Sequence, residues 1–438
     1  MTFKEDRASK NKFFEKDQTG KYYTYPDYEE IEVDWLEAIP SHWDTVKLKY
    51  LGTFRSGKRP PAKDDNGHFP IIGANGKVGY CDKQNLDEKR IVIGRVGSSG
   101  EVNIAPQNSW VTDNAIILNH KLYDGKFRYL FYVLKSLDLK SLITKNAQPL
   151  ITANIIKEQF IPLIPNREQE AIVKFLDRET SKIDRLIEEE EKLLDLLKEK
   201  RRALISDILT KGIDEEVSLY RETDIEWLGS IPSHWETAKL KHLVHIKGGG
   251  TPSTSNQNFW DGNIPWVSPK DMQPFKISDT KDYITQEAVK ESSTNVVPEK
   301  SILLVVRSGI LRRKIPVSLT KIPVALNQDL KGLITKQEIH PSYLANFIDS
   351  FSNHLLPLWK KEGTTVESLE TENVINTSIP IPPYREQVKI VSLIETERNK
   401  IRNLEDKIKE GIKILKEYRT ALISAAVTGK IDVRGEVE

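Results

Sequence analysis

Residues 167–211 read REQEAIVKFLDRETSKIDRLIEEEEKLLDLLKEKRRALISDILTK, a run without Gly or Pro that is dense in Glu, Lys, Leu and Ile. Its composition and length predict one long helix. Leu176, Ile183, Leu197 and Leu204 recur at seven-residue intervals, with Leu186 and Leu193 three residues after that register, which is the pattern of a coiled-coil seam. One helix cannot bury its own seam. The partner lies in the same chain, because residues 385–430 read REQVKIVSLIETERNKIRNLEDKIKEGIKILKEYRTALISAAVTGK and align without a gap 218 residues later. The second seam is then Ile394, Ile401, Leu404, Ile408, Leu415 and Leu422. A shared period explains periodic positions only, and the ends match as well. Ile161-Pro162 repeats as Ile379-Pro380, Arg167-Glu168-Gln169 as Arg385-Glu386-Gln387, and Ala203 to Ser206 as Ala421 to Ser424.

A second repeat has a different spacing. WLEAIPSHWDTVKLKYL (Trp35 to Leu51) returns as WLGSIPSHWETAKLKHL (Trp227 to Leu243), 192 residues later, so the segment between the repeats is 26 residues longer in the second half. A common skeleton shows through that segment. GHFPIIGAN (Gly67 to Asn75) parallels GNIPWVSPK (Gly262 to Lys270), IVIGRVG (Ile91 to Gly97) parallels LLVVRSG (Leu303 to Gly309), and VTDNAIIL (Val111 to Leu118) is set beside ALNQDLKGLI (Ala325 to Ile334). Short β-branched runs punctuated by Gly, Pro and Asn read as strands and turns, and Phe127 to Leu139 and Tyr343 to Trp359 read as amphipathic helices.

The expected fold is therefore α/β (α+β): two similar α/β modules separated by two long antiparallel helices forming a coiled coil, with a pseudo-two-fold, circularly permuted repeat and termini that approach each other. The expected partition is a flexible lead (residues 1–30), a first module (31–160), a central region with the first long helix (161–214), an acidic connector and second module (215–378), and a distal region with the second long helix (379–438).

One Cys, Cys81, excludes a disulfide framework and fits a reducing cytoplasm. The polar start, MTFKEDRASKNKFF, has no apolar core for a signal peptide, and no stretch is apolar enough for a membrane span. The net charge of +1 hides a split. Residues 44–160 carry 18 Lys/Arg against 11 Asp/Glu and residues 237–378 carry 17 against 14, whereas residues 1–43 carry 6 against 10 and residues 212–236 carry 1 against 7. Cationic modules joined by acidic connectors fit two polyanion-binding units.

The sequence carries no catalytic constellation. Ile381-Pro382-Pro383-Tyr384 resembles an amino-methyltransferase loop but lacks the polar residue that would hold the target amine, and its counterpart in the first half reads Pro165-Asn166. Gly248-Gly249-Gly250 lacks dinucleotide-fingerprint spacing, and the Gly94 turn lacks the Lys of a phosphate loop. Eight His and one Cys form no close cluster for zinc, and His42 and His234 fit packed turn residues better than ligands. No acidic nuclease arrangement appears in both modules.

What the modules offer is hydrogen-bonding side chains in loops. In the first these are Arg55, Lys58, Arg59 and Lys63; Asn75 and Lys77; Arg95, Ser98 and Ser99; Asn114; and Gln148. In the second they are Lys247, Thr251, Ser253, Ser255 and Asn256; Ser268 and Lys270; Arg307, Ser308, Arg312 and Arg313; Asn327 and Gln328; and Thr364 and Thr365. Arg and Lys match guanine edges, Asn and Gln match adenine, and Ser, Thr and backbone amides hold phosphates. Arg95 and Arg307 stand out, since each follows an apolar strand and precedes an x-Gly turn.

With Ile-Pro-Ser-His-Trp twice, Ile-Pro-x-x-Pro-x-Arg-Glu-Gln twice and Ala-Leu-Ile-Ser twice, the chain closely resembles the specificity subunit of type I restriction-modification enzymes over nearly all its length after about residue 30. The resemblance implies a non-catalytic protein with two target-recognition domains. Each reads one half of a bipartite, asymmetric sequence in double-stranded DNA, and a coiled coil separates them. It also implies docking of two modification (methyltransferase) subunits, to which restriction (endonuclease and translocase) subunits join. The Arg167-Glu168-Gln169 and Arg385-Glu386-Gln387 segments are the expected partner interface. S-adenosylmethionine, ATP and Mg are expected in the partners only, with no metal in this chain. The alternatives are a stand-alone DNA-modifying enzyme and a coiled-coil adaptor without DNA specificity. Departures are local: Glu190 occupies a seam position where the second helix has Ile408, and Gly411 falls where the first has Leu193.

Overall fold

The computed structural model describes residues 22–33, 35–120, 124–143, 150–213, 219–363 and 365–436. The chain divides into two units, one formed by residues up to Glu191 together with those from Lys409 onward, the other by Lys192 to Ile408. Helices α1 (Asp124–Ser136), α2 (Asn166–Lys211), α3 (Pro341–Ser350) and α4 (Tyr384–Val427) supply the frame. The 46-residue α2 and the 44-residue α4 each begin in one unit and end in the other.

In the first unit, strands Gly52–Ser56, Ala115–His120, Arg90–Gly94 and Val102–Ala105 form an antiparallel sheet in that order. Its two central strands are runs of Ile, Val and Leu because both faces are covered. Ile91, Ile93, Ile116 and Leu118 pack with Phe127, Leu130 and Leu134 of α1. Val92 and Ile117 pack on the other face with Ile72 and Val111. Those last two belong to a small sheet of Gly76–Cys81, Phe69–Gly73 and Trp110–Val111.

The second unit repeats this order with Val244–Gly248, Leu330–Thr335, Ile302–Val305 and Val317–Thr320, and adds a fifth strand, Lys276–Ile277. Its second sheet runs Asp282–Ile284, Trp260–Val267, Val324–Leu326 and Val296–Val297. Much of the extra length of this half is spent between residues 276 and 297, on added strands and the short helix Gln286–Glu291. The amphipathic stretch expected at Tyr343 to Trp359 is two helices, α3 and Ser352–Trp359, broken at Phe351.

The two repeats of unequal spacing meet. Asp44–Lys47 pairs with Phe160–Leu163, and Glu236–Lys239 pairs with Ser378–Ile381 in the same register, Val46 opposite Ile161 and Ala238 opposite Ile379. Each ladder leads into a long helix through a proline: the Glu168 and Gln169 amides donate to Pro165 O, and those of Glu386 and Gln387 donate to Pro383 O. Tyr129 of α1 donates to Pro162 O at 3.4 Å, and Tyr343 of α3 donates to the matching Pro380 O at 3.1 Å.

Within each unit the long helices run antiparallel. In the first, Asp184 pairs with Arg419 at 2.8 Å and Glu191 with Lys416 at 3.8 Å. In the second, Arg201 pairs with Glu405 at 3.2 Å, while Ile205 and Ile208 share a core with Ile390 and Ile394. The seam differs from the expected one in its second line. Leu186, Leu193 and Leu404 are 48%, 44% and 48% exposed and do not line it. The protected positions lie four residues after the Leu176 line, at Thr180, Ile187, Leu194 and Arg201 on α2 and at Arg398, Glu405, Ile412 and Arg419 on α4. A seam alternates steps of three and four, so the expected register started each step from the wrong end. Leu176, Ile183, Leu197, Leu204, Ile394, Ile401, Ile408, Leu415 and Leu422 all face inward at least in part, and so does Glu190.

The lead also differs from expectation. Residues 1–21 lie outside the described residues, but Tyr22 and Tyr25 are core residues and Tyr28–Val33 pairs with Leu36–Pro40. Asp432 N donates to Tyr23 O at 2.7 Å and Tyr28 OH to Gly429 O at 2.8 Å, so the lead is fastened to the tail.

Ile183→Ala should cost about 2–5 kcal/mol of unfolding free energy, the range for emptying a buried aliphatic site. Leu186→Ala should change it by about 0.5 kcal/mol or less. Denaturant unfolding of the two variants separates the registers, and equal losses would restore the expected one.

Candidate nucleic-acid interface

The polar loops of each unit converge on one turn at the end of the main sheet. In the first unit, Gly57 N donates to Ala115 O at 3.0 Å, Lys58 N to Val111 O at 3.0 Å, Arg95 N to Asn114 O at 2.8 Å, and Thr112 N to Ile72 O at 2.9 Å. Three stretches of chain, at Gly57-Lys58, Ile72 and Arg95, are thereby tied to the segment Val111 to Ala115. In the second unit Gly250 N donates to Leu326 O at 2.8 Å, Val306 N to Asp329 O at 2.8 Å, and Asn327 N to Val267 O at 2.9 Å. Glycine is required where the loop crosses this turn. A Cβ on Gly57 would lie 2.2 Å from Thr112 O, and one on Gly249 would lie 2.1 Å from Asn327 O. The two glycines are 192 residues apart, the spacing of the Trp35 and Trp227 segments, so the repeat offset itself marks both positions in the sequence.

Most of the candidate side chains stand on these loops in solvent. Lys58, Arg59, Lys63, Asn75, Lys77 and Asn114 are exposed in the first unit, with Arg55, Arg95 and Ser98 half-buried. In the second, Lys247, Thr251, Ser253, Ser255, Lys270, Arg307, Arg312, Arg313, Gln328 and Thr365 are exposed, with Asn256 and Ser308 half-buried. Several are already engaged. Arg55 reaches Asn85 O at 3.4 Å, Lys77 donates to Tyr80 OH at 2.8 Å, and Asn256 and Ser308 cap short 3-10 turns. Lys140 donates to Glu101 beside the Arg95 turn and holds that carboxyl below its ordinary range.

Three candidates face inward instead. Ser99 donates to Arg95 O at 2.9 Å, Ser268 to Asp271 at 2.8 Å, and Asn327 is 6% exposed with its amide bonded to Thr251 at 3.2 Å. They shape the loops and present no free group to a ligand. Gln148 and Thr364 lie outside the described residues.

Arg95 and Arg307 are not structural counterparts. Ile151 N donates to Arg95 O and Leu369 N to Val306 O, while Val96 bridges Leu150 and Arg307 bridges Ser368. The backbone equivalent of Arg307 is thus Val96, one residue beyond the alignment of letters, and successive residues of an extended chain point to opposite sides.

The Arg-Glu-Gln segments serve inside their own units. Glu168 accepts from Trp43 Nε1 at 2.9 Å and Tyr25 OH at 3.1 Å, and lies 2.7 Å from His42 Nε2. Glu386 accepts from Trp235 Nε1 at 3.2 Å and lies 2.9 Å from His234 Nε2. Gln169 donates to Ile164 O and Gln387 to Pro382 O, both at 2.8 Å. Glu168, Gln169 and Gln387 are buried and Glu386 nearly so. Of the expected partner interface only Arg167 and Arg385 are left exposed, because an indole and an imidazole need a buried acceptor. Burial, with Glu168 beside it, pushes the Tyr25 phenol far above its ordinary value, so it remains a donor.

Among the described residues no group of three His, Cys, Asp or Glu side chains is placed to hold a metal, and no helix is long and apolar enough to cross a membrane.

A small α/β module used twice, with cationic and amide loops gathered on one turn and a long helix latched to its base, defines a duplicated recognition scaffold. The chain belongs to the family described as type I restriction modification DNA specificity domain, which matches residues 40–198 and 232–413. It is 32% identical over 293 residues to the Escherichia coli type I restriction enzyme EcoR124I/EcoR124II specificity subunit, covering 65% of each chain. It is 25% identical over 427 residues to the Methanocaldococcus jannaschii type I restriction enzyme MjaVIII specificity subunit, covering 90% of this chain and 94% of that one. A solved chain from work on complex assembly and conformational transition of the type I R-M system superposes with a TM-score of 0.64 at 14% identity, over 89% of this chain and 98% of the other. At that identity the likeness is one of fold.

Glu168→Ala should cost about 1–3 kcal/mol, because it leaves the Trp43 and Tyr25 donors unpaired in a buried site, and Glu168→Gln, which keeps an acceptor, should cost less. Calorimetric unfolding of both variants gives the comparison. An alanine variant as stable as wild type would remove the latch from the account.

Proposed function

We propose that this chain is the non-catalytic DNA sequence-recognition subunit of a type I restriction-modification complex. Each unit reads one half of a bipartite, asymmetric site, and the helix pair sets the spacing between the halves and docks two methyltransferase subunits, with restriction subunits joining that core. The observation that carries the reading is the shared turn, Val111 to Ala115 in one unit and Leu326 to Leu330 in the other, which gathers exposed Arg, Lys, Asn and Gln side chains on one frame while the residues themselves differ. One frame with two different sets of side chains suits two different half-sequences. Duplex DNA is bound through cationic contacts to phosphates and read through donor and acceptor patterns on base edges, and these loops carry both residue types. S-adenosylmethionine, ATP and Mg belong to the partners in this reading, and the duplex lies in the cytoplasm.

The helix lengths support the spacing role. At about 1.5 Å per residue, 46 residues span roughly 65–70 Å, on the order of two turns of duplex.

Arg95→Ala should relax one half-sequence and Arg307→Ala the other, each by about 1–3 kcal/mol of discrimination if the guanidinium meets a guanine. Mapping of methylated motifs in cells that carry the assembled modification complex supplies the test. A uniform weakening over all positions would demote either residue to a phosphate contact. Inserting about one helical turn after Glu191 and a matching turn after Lys409 should lengthen the preferred spacer and leave both half-sequences intact. A change in the half-sequences themselves would end the spacing role.

A further inference from the structure

The second unit holds an arginine that is oriented before any ligand arrives. Arg307 Nε donates to Asp329 Oδ1 at 2.7 Å, with the Arg307 side chain 57% exposed and that of Asp329 21%. Asp329 is fixed from two directions. Its amide donates to Asn327 Oδ1 at 2.8 Å, and its carbonyl accepts from Val306 N at 2.8 Å. The buried Asn327 also donates to Thr251 Oγ1 at 3.2 Å, and Thr251 in turn bonds the exposed Gln328. Among the described residues, the terminal amino groups of Arg307 have no hydrogen-bond or ion-pair partner.

A guanidinium held through Nε is restricted in rotation but keeps both terminal groups available as a planar fork. That fork matches the O6 and N7 acceptors of one guanine in the major groove. Its orientation is set by the protein, so less freedom is lost on binding than for an unsupported side chain. The first unit has no such pair, because the residues at the equivalent backbone positions are Val96 and Asn114.

We propose that Asp329 is a specificity-determining positioning residue that presents Arg307 to a guanine in the half-sequence read by the second unit. The inference rests on the DNA-reading role proposed above. It differs from that role in assigning the discrimination to a pair of residues, one of which never touches the base.

The test maps methylated motifs made by the assembled complex carrying wild type, Arg307→Ala, Arg307→Lys, Asp329→Asn or Asp329→Ala, with thermal unfolding of each chain alongside. The expected result is that all four variants become degenerate at one and the same base pair, where the preference for guanine falls roughly tenfold or more. The rest of that half-sequence, the other half-sequence and the unfolding temperature should stay as in wild type. Arg307→Lys belongs with the losses because an ammonium has no Nε to meet Asp329 and no fork. Asp329→Asn leaving the wild-type motif, or both positions weakening every base pair alike, would overturn the inference while leaving a bipartite motif and the recognition role standing. A wild-type complex with no sequence preference would overturn both.

Discussion

The structure depends on a carboxylate at the start of each long helix, buried at Glu168 and nearly buried at Glu386. Apolar packing holds the first turns of each helix on its unit, through Ile172, Phe175 and Leu176 in one and Ile390 and Ile394 in the other, but such packing is non-directional and leaves the register of the helix end to a polar contact. Glu168 and Glu386 make that contact by accepting the indole N–H of Trp43 and Trp235 and engaging His42 and His234. The adjoining Gln169 and Gln387 fasten the same turn to the residue that directly follows the preceding strand. That strand pairs with the segment just beyond the Trp. Helix, strand and Trp element therefore form one joint in each unit, with a charge-assisted acceptor inside it. The first unit's joint is the more elaborate, since Tyr25 from the lead bonds the same carboxylate and Arg434 from the tail lies over the Tyr25 ring.

Above the joint, the frame is constant and the surface is not. The main sheets share the order of four strands, and the crossing at Gly57 or Gly249 is so close to backbone oxygen that no side chain fits. The loops that leave this frame differ in length and charge. Such a division lets stability reside in the sheet and joint while the exposed residues vary at little energetic cost, since solvated loop positions contribute little to packing.

Much of this was legible in the sequence, and the misses have physical causes. The offsets of 192 and 218 residues located both modules and both long helices because they are linear facts. That the two repeats pair with each other in one ladder is a contact between residues more than a hundred positions apart, which no local pattern encodes. The seam was half right because adjacent apolar pairs such as Leu186-Ile187 and Leu193-Leu194 satisfy either register, and only packing against the second helix chooses. Ser99, Ser268 and Asn327 read as ligand contacts since loop polar residues look alike on paper, whereas their burial follows from neighbours supplied by other loops. Arg95 and Arg307 match by letter but stand one residue apart in the frame, because the hydrogen bonds of the strand ends, which no letter shows, pair Val96 with Leu150 and Arg307 with Ser368. The Asp329 contact had no signal at all in one sequence.

The central claim is that the two units are two readers of one interrupted site. Mapping every methylated position in the genome of a host that expresses this chain with its modification subunit tests it most directly. The account predicts a single motif of two unlike half-sequences separated by a spacer of fixed length and arbitrary composition. A continuous motif, two identical halves, or methylation without sequence preference would contradict it.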